Sequence, residues 1–305
     1  MKNVAVNEYS ICSSPINLLC NGQKMGSATG FFLKHENRVY LVSNWHVFSG
    51  REPRSGQPKH IEGAIPDELN INYVNRKNLN DNRYISIPTA LADGSPRWLQ
   101  SKHFGQKADA SVIDITKLFI DYNVDVALLD TIPCINDIEQ VEGMFLGIGI
   151  DVFVLGFPLG IMKTGILPIW KRASIATEYD FDVNDMPSFL IDTATREGMS
   201  GAPVIQHVVG GYTTSSGGFN VGRVTSSKLL GLYSGRYIGE LDEAHLHRLE
   251  NGFNKRHHRK PFARKFYSYI VLNFICNSLV LLFDINFKSH DPAIYCVKCN
   301  CVLYR

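Results

Sequence analysis

The sequence predicts an all-β protein built from two antiparallel β-barrels and followed by a C-terminal extension of different composition. Between residues 25 and 245, short runs of Val, Ile, Leu, Phe and Tyr are broken by Gly, Asn, Asp and Pro at intervals typical of antiparallel strands. Helix-period stretches are scarce there. The chain has 305 residues, of which 45% are apolar and 20% charged, so it is long enough to form two such domains.

The predicted strands follow one another with short connections. The clearest are residues 30–33, 39–43, 111–115, 151–156, 189–193, 203–206 and 229–233. Residues 35–37 predict a hairpin turn, which would bring the first two runs side by side. Residues 50–98 are rich in Pro, Asn, Gly and Arg and predict a long loop region with one or two edge strands. We place the first barrel at residues 1–140 and the second at residues 141–245.

The last sixty residues, 246–305, form the extension. They hold ten Lys and Arg against three Asp and Glu, whereas the rest of the chain holds 21 against 26. The larger, mildly acidic part gives no reason to expect a nucleic-acid partner. A basic run at 255–260 precedes an apolar stretch at 266–283, about as long as the shortest membrane-spanning helix, which needs roughly 17 residues. The tail is therefore either a weak membrane-associating or nucleic-acid-binding module, or an appendage without structure of its own.

Seven cysteines are an odd number, and those in the larger part show no pairing framework. The first residues also lack the pattern of a secretory signal. Both observations favour a reducing, cytoplasmic setting. Cys296, Cys299 and Cys301 lie close together, but no second pair of ligands stands at the usual distance for zinc. We predict neither a metal nor another cofactor.

The segment 196–204, Arg-Glu-Gly-Met-Ser-Gly-Ala-Pro-Val, predicts a nucleophile. Gly198 and Gly201 allow the tight turn that would direct two backbone N–H groups toward a carbonyl oxygen above Ser200. A serine hydroxyl attacks a carbonyl poorly unless a base takes its proton. The sequence must therefore also supply a base.

His46 is the candidate base, because it directly follows the predicted strand 39–43 and would lie at a strand end that faces a cleft. The alternative is a histidine packed in a core, which the glycine-flanked serine makes less favoured. The other histidines of the larger part have polar or turn-like surroundings, and we expect them to be solvated: His35, His60, His103, His207 and His245.

Two aspartates could hold the imidazole and stabilise its cation. Asp109 and Asp125 both precede apolar, strand-like runs, and the local pattern slightly favours Asp125. The aspartate that does not hold the imidazole would be a strand-edge residue that caps a turn.

Three motifs together resemble the trypsin-like serine peptidases of the chymotrypsin fold, especially their bacterial intracellular branch. They are Ser-Asn-Trp-His46-Val, Gly-Met-Ser200-Gly-Ala-Pro and residues 230–236, Leu-Gly-Leu-Tyr-Ser-Gly-Arg, and the resemblance covers roughly residues 26–240. Residues 98–104 followed by Asp109 are similar to the stretch that leads to the catalytic aspartate in that branch, with Phe104 in place of a proline. The resemblance shifts the prediction to Asp109 and leaves Asp125 as the runner-up.

The resemblance also implies how the rest of the site is built. The N–H groups of Gly198 and Ser200 would form the oxyanion hole. Ser234 and Gly235 would pair with an extended peptide substrate through backbone hydrogen bonds.

The same resemblance implies that Thr195 and Tyr233 border the pocket for the side chain that precedes the cut bond. Ala194 stands where trypsin-type enzymes have an acid, so a preference for Lys or Arg is not supported. Asp192, two residues earlier, is interpreted as part of a strand or its support.

The function predicted is that of a serine endopeptidase, a hydrolase with a catalytic triad of His46, Asp109 and Ser200 that acts through an acyl-enzyme on peptide or protein substrates. One alternative is an inactive protease-like scaffold used for binding, since a fold does not imply activity. A second keeps the triad but acts on an ester. A third assigns the function to the basic and apolar tail.

Overall fold

The first half of the chain forms seven strands. The computed structural model describes residues 6–160, 167–183, 186–221, 224–237, 268–273, 294–296 and 301–303. The seven strands are β1 (Ser13–Cys20), β2 (Gln23–His35), β3 (Arg38–Ser43), β4 (Glu68–Asn75), β5 (Asn78–Pro88), β6 (Leu99–Gln100) and β7 (Ser111–Asp114). They pair antiparallel in one sheet with the order β5-β4-β1-β2-β3-β7-β6.

The hairpin prediction for this half is confirmed, and the loop-region prediction is confirmed only in part, because β4 lies inside the sheet between β5 and β1. β2 and β3 form a hairpin in which His35 pairs with Arg38, and Glu36 turns the chain with a φ of 52°. The region 50–98 contains the β4–β5 hairpin, whose second strand lies at one edge of the sheet.

One apolar core lies against this sheet. It includes Ile16 of β1, Phe32 of β2, Leu41 of β3, Ile85 of β5 and Ile113 of β7. Because strands from both ends of the sheet contribute to the same cluster, the sheet curves around it, as in a barrel.

The second half closes into a barrel. Its strands are β8 (Asp151–Gly156), β9 (Ile169–Ile175), β10 (Ser188–Asp192), β11 (Pro203–Val209), the two-stranded β12 (Tyr212–Thr213) and β13 (Phe219–Asn220), β14 (Thr225–Tyr237) and β15 (Ser268–Asn273). The barrel has the order β10-β15-β14-β11-β8-β9, and β9 pairs again with β10. The predicted all-β, chymotrypsin-like fold is confirmed.

β15 belongs to the stretch that the sequence assigned to the extension 246–305. In the structure it pairs antiparallel with β10 on one side and with β14 on the other, so these six residues are part of the second barrel. The domain boundaries at residues 140 and 245 stay predictions.

Within the described residues, three short α-helices accompany the sheets: α1 (Glu8–Cys12), α2 (Trp45–Ser49) and α3 (Ile115–Asp121). Single 3-10 turns lie at Gln106–Ala108, Val126–Thr131, Ile135–Asp137 and Pro158–Gly160. The run that begins at Asp125 is therefore a 3-10 helix, and its interpretation as a strand was wrong. The physical reason is local: the Asp125 carboxylate accepts a hydrogen bond from the N–H of Ala127 and caps the helix.

A second apolar cluster joins the two halves. Phe31 of β2 and Val42 of β3 pack there with Leu155 of β8, Ile205 of β11 and Leu232 of β14. The ends of β3, β7, β11 and β14 therefore meet at this seam, which is where the predicted site residues lie.

The basic run 255–260 and most of the apolar stretch 266–283 lie outside the described residues. Cys296 and Cys301 pair in register between β16 (Ile294–Cys296) and β17 (Cys301–Leu303), and Cys299 is outside the described residues. Among the helices that the structure describes, none has the length and apolarity needed to cross a membrane.

Candidate active site

His46 lies in the first turn of α2, immediately after β3. Asn44 links the strand to the helix, and its fully buried side-chain amide donates a 2.8 Å hydrogen bond to the Asp109 carbonyl. Gly50 ends the helix in a left-handed conformation, and its N–H returns to the carbonyl of His46. The imidazole is thus held at the end of a strand, as the sequence predicted, with 10% of its side chain exposed.

Asp109 lies beside His46. Its carboxylate accepts a 3.0 Å hydrogen bond from the His46 backbone N–H, and its two oxygens lie 2.8 and 2.9 Å from His46 Nδ1. The hydroxyl of Ser234 donates a further short hydrogen bond to the same carboxylate. A carboxylate with these partners is fixed in position, although it lies 63 residues from His46 in the chain.

This contact also decides which nitrogen of His46 holds the proton. An ionised carboxylate only accepts hydrogen bonds, so the hydrogen lies on Nδ1 and leaves Nε2 as the acceptor in the neutral ring. A base with that tautomer is ready to take a proton at Nε2.

Asp125, the runner-up, does not reach His46. Its carboxylate caps the 3-10 helix Val126–Thr131, and its side chain is exposed. This is the turn-capping role expected of the aspartate that the site does not use.

Ser200 lies on a turn that two glycines shape. Gly198 and Gly201 have φ values of 93° and 82°, a region that favours glycine. A Cβ on Gly198 would lie 2.3 Å from the Phe157 carbonyl oxygen. A Cβ on Gly201 would lie 2.1 Å from Ser43 Oγ, so neither position has room for a larger residue.

The Ser200 hydroxyl donates a long hydrogen bond of 3.5 Å to the Ser234 carbonyl. Among the hydrogen bonds of the described residues, none joins Ser200 Oγ to His46. Ser234 is therefore the common neighbour: its hydroxyl binds Asp109, and its carbonyl accepts from Ser200. Asp109 and Ser200 thus both contact Ser234, and Asp109 also contacts His46.

The turn before Ser200 is tied to its neighbours on both sides. The Glu197 carbonyl accepts a 2.7 Å hydrogen bond from the N–H of Leu159, and the Gly198 carbonyl accepts one of 2.7 Å from the Thr29 hydroxyl. Among the described residues, no acceptor forms a hydrogen bond with the N–H of Gly198 or of Ser200. These are the two donors that the resemblance implied for an oxyanion hole.

Thr29 is a residue that the sequence analysis missed. It lies in β2 of the first half, yet its N–H donates to the Ser200 carbonyl at 2.8 Å and its hydroxyl accepts from the N–H of Phe157 at 3.1 Å. Its own carbonyl accepts a 2.8 Å hydrogen bond from Ser43 Oγ. These contacts span up to 171 residues of sequence, and no local pattern marks Thr29.

The predicted pocket residues also lie near Ser200. The Thr195 hydroxyl is 2.6 Å from the Tyr233 hydroxyl, and each residue is 4% exposed. Gly235 follows Ser234 on β14, and the space where a Cβ would stand at Gly235 is open to 4 Å. Asp192 ends β10 as an exposed residue, in keeping with its interpretation as part of a strand.

His207 is half-buried and not solvated as predicted. Its ring lies within 5.3 to 6.5 Å of the rings of Tyr9, Phe153 and Trp170, and its Nδ1 is 2.6 Å from the Ser227 hydroxyl. Burial lowers the pKa of His207 below its ordinary value. The prediction failed because the residues beside His207 in sequence say nothing about the rings that other strands bring to it.

Within the part of the chain that the structure describes, no group of three or more His, Cys, Asp or Glu side chains is placed to hold a metal ion. The site's polar groups are instead hydroxyls, one imidazole, one carboxylate and backbone amides.

The fold and the site together define a protein of the chymotrypsin-like, all-β class, with a serine, a histidine and an aspartate at the seam of its two halves. The family model described as "Trypsin-like peptidase domain" matches residues 28–210, more than half of the chain. The chain therefore belongs to the trypsin-like peptidase family. None of the curated proteins matches the chain.

Solved structures give more distant likenesses. A serine endoprotease from Yersinia pestis has 11% sequence identity and a TM-score of 0.40, and the match covers 77% of this chain and 60% of that one. The chain thus spans about 60% of the length of that endoprotease. The Rv3671c protease in its inactive form has 14% identity and a TM-score of 0.36, with 87% of this chain and 85% of that one covered.

Proposed function

We propose that this chain is a serine endopeptidase that forms an acyl-enzyme on Ser200. The observation that supports this most is the Asp109 carboxylate, which accepts hydrogen bonds from the backbone N–H and Nδ1 of His46 and from Ser234. This arrangement leaves His46 Nε2 as the acceptor that a serine hydroxyl needs.

Strand β14 offers a place for the substrate. β11 pairs with β14 from Thr225 to Leu232, and the Tyr233 N–H donates to the Ala202 carbonyl, so residues 234–237 extend beyond the end of β11. β15 pairs with the other side of this segment. An extended peptide can therefore add to β14 at Ser234 and Gly235 through backbone hydrogen bonds.

The Ser200–Ser234 hydrogen bond gives this binding step a chemical role. When a peptide N–H donates a hydrogen bond to the Ser234 carbonyl, that carbonyl becomes a poorer acceptor for the Ser200 hydroxyl. The hydroxyl then turns to His46 Nε2, which takes its proton as Oγ attacks the peptide carbonyl. The N–H groups of Gly198 and Ser200 stabilise the oxyanion, and His46 returns the proton to the leaving amine.

The proposal includes a cytoplasmic location and a peptide or protein partner. The free thiols of Cys12, Cys20 and Cys134 support the reducing compartment. The open edge of β14 supports the peptide partner.

Covalent labelling with a fluorophosphonate probe tests the proposal. We expect wild type to be labelled at Ser200 and Ser200→Ala to remain unlabelled. Asp109→Asn should lower kcat for peptide cleavage by about 10⁴-fold, because the imidazole would adopt the wrong tautomer. The matched control is Asp125→Asn, which should cleave like wild type because Asp125 only caps a 3-10 helix.

Two results would contradict the proposal. Label that persists in Ser200→Ala would place the nucleophile elsewhere. A correctly folded wild type that takes no label and cleaves no peptide would favour the inactive binding scaffold.

A further inference from the structure

Tyr233 is locked to the turn that presents Ser200. Its N–H donates a 2.8 Å hydrogen bond to the Ala202 carbonyl, and its carbonyl accepts one of 2.8 Å from the N–H of Gly201. The carbonyl of the next residue, Ser234, accepts a hydrogen bond from the Ser200 hydroxyl. The backbone of Tyr233 therefore runs directly beside the candidate nucleophile and cannot shift without moving it.

The Tyr233 side chain turns inward from this position. Its ring packs in the second barrel's core with Met199, Ala202 and Val204, and its hydroxyl lies 2.6 Å from Thr195 Oγ1. Thr195 precedes Ser200 by five residues, on the segment that leads from β10 to the nucleophile turn. The phenol ring therefore spans the gap between the two segments that flank Ser200.

A bound peptide would meet this ring. The peptide pairs with Ser234 and Gly235 on one side and places its carbonyl at the N–H groups of Gly198 and Ser200 on the other. The resemblance implies that the side chain of the residue before the cut bond then points between these two segments, toward Tyr233 and Thr195. Both of these are 4% exposed, and the ring belongs to the core cluster with Met199, Ala202 and Val204, so it cannot swing away without leaving the core of the barrel.

We propose that Tyr233 fills the pocket for the residue before the cut bond and restricts the substrate there to Gly, Ala or Ser. The inference rests on the proposed endopeptidase function. A leucine or phenylalanine side chain needs the space that the ring occupies. A lysine or arginine side chain would meet an aromatic ring and two neutral hydroxyls, with Ala194 adjacent to Thr195.

The test uses a peptide series that differs only in the residue before the cut bond: Gly, Ala, Leu, Phe or Arg. For each enzyme the ratio of kcat/KM between the Ala and Phe peptides is measured, because this ratio does not depend on the fraction of correctly folded protein. In wild type we expect the Ala peptide to be favoured by about 100-fold, the range that pocket size can supply.

Two substitutions of Tyr233 separate ring from hydroxyl. Tyr233→Ala should open the pocket and reverse the order in favour of Leu and Phe. Tyr233→Phe is the matched control: it removes only the hydroxyl, so the preference for Ala should remain. Tyr233→Val enlarges the pocket less and is measured in parallel, with a smaller shift in the same direction expected.

The outcomes distinguish this inference from the proposed function. Wild type that cleaves the Phe or Leu peptide as well as the Ala peptide would overturn the inference alone, and so would a Tyr233→Ala or Tyr233→Val enzyme that keeps the wild-type order. Wild type that cleaves none of the peptides and takes no fluorophosphonate label would overturn the proposed function as well.

Discussion

At Asp109 the backbone has a φ of 49°, which is left-handed. This conformation costs a side chain roughly 1–2 kcal/mol, although aspartate adopts it more readily than most residues. It ends the 3-10 turn Gln106–Ala108 two residues before β7 and directs the carboxylate back to His46. The three donors that meet this carboxylate offset the strain.

Gly201 has the most restricted surroundings of the nucleophile turn. Gly201→Ala would place a methyl group 2.1 Å from Ser43 Oγ and 2.2 Å from the Thr29 carbonyl oxygen, at a φ of 82°. We expect the free energy of unfolding to fall by about 3 kcal/mol, from left-handed strain and overpacking together. Urea titration measures this.

Gly217→Ala is the control for Gly201→Ala. Gly217 has a φ of 85°, and a Cβ there would meet nothing within 4 Å, so only the strain of about 1 to 2 kcal/mol applies. Equal losses in the two variants would show that the crowding at Gly201 has no effect.

At the scale of elements, α1 is fastened to the second barrel. The Trp170 indole of β9 donates a 2.8 Å hydrogen bond to Ser10 Oγ, and Gln140 donates one of 3.1 Å to the Tyr9 hydroxyl. His207 of β11 lies among the rings of Tyr9 and Trp170. This cluster joins the start of the chain to strands that lie more than 140 residues further along the sequence.

The pKa of His207 makes this junction sensitive to acid. Burial lowers the pKa in the folded state, so the unfolded chain binds the proton more readily. The stabilising contribution is fully present above the unfolded value of about 6.5 and is lost as the pH falls below it. We expect wild type to lose more stability between pH 7.5 and pH 5.5 than His207→Gln does.

Urea unfolding at the two pH values measures the difference for His207. The other histidines titrate in both proteins, so only the excess loss in wild type reports on His207. An identical loss in wild type and variant would contradict the prediction.

At the scale of the whole molecule, Thr29 connects the two halves at the candidate site. Its hydroxyl donates to the Gly198 carbonyl at 2.7 Å and accepts from the N–H of Phe157 at 3.1 Å. The first half thus holds the turn that bears Ser200, which belongs to the second half. We expect the position of Ser200 relative to His46 to depend on this contact between halves.

Removal of the Thr29 hydroxyl should weaken both stability and activity. Thr29→Val keeps the shape but leaves a buried carbonyl and a buried N–H without a partner, at a cost of about 1–3 kcal/mol for each group. Thr29→Ser retains the hydroxyl and should stay close to wild type. Urea unfolding and kcat/KM measure the two effects, and a Thr29→Val protein that matches Thr29→Ser in both would refute the role.

The site residues that lie in a recognisable short sequence motif were the easiest to predict. His46 follows a strand and Ser200 stands between glycines, so short stretches of sequence were enough to nominate both. The choice between Asp109 and Asp125 was harder, because both precede apolar runs: the local pattern slightly favoured Asp125, and only the family resemblance shifted the prediction to Asp109. Thr29 and the hydroxyl contact of Ser234 with Asp109 had no local signal, since their partners are 125 to 171 residues away.

The sequence by itself determined the strand-rich fold, the hairpin at residues 35–37 and the nomination of one serine and one histidine, because period, turn residues and glycine positions act over a few residues. Only the tertiary structure decided which aspartate meets His46, that β15 closes the second barrel, and that the Tyr233 backbone pairs with Gly201 and Ala202. These depend on pairing and packing between distant segments, and a hydrogen bond or a contact exists only where the fold brings its two partners together.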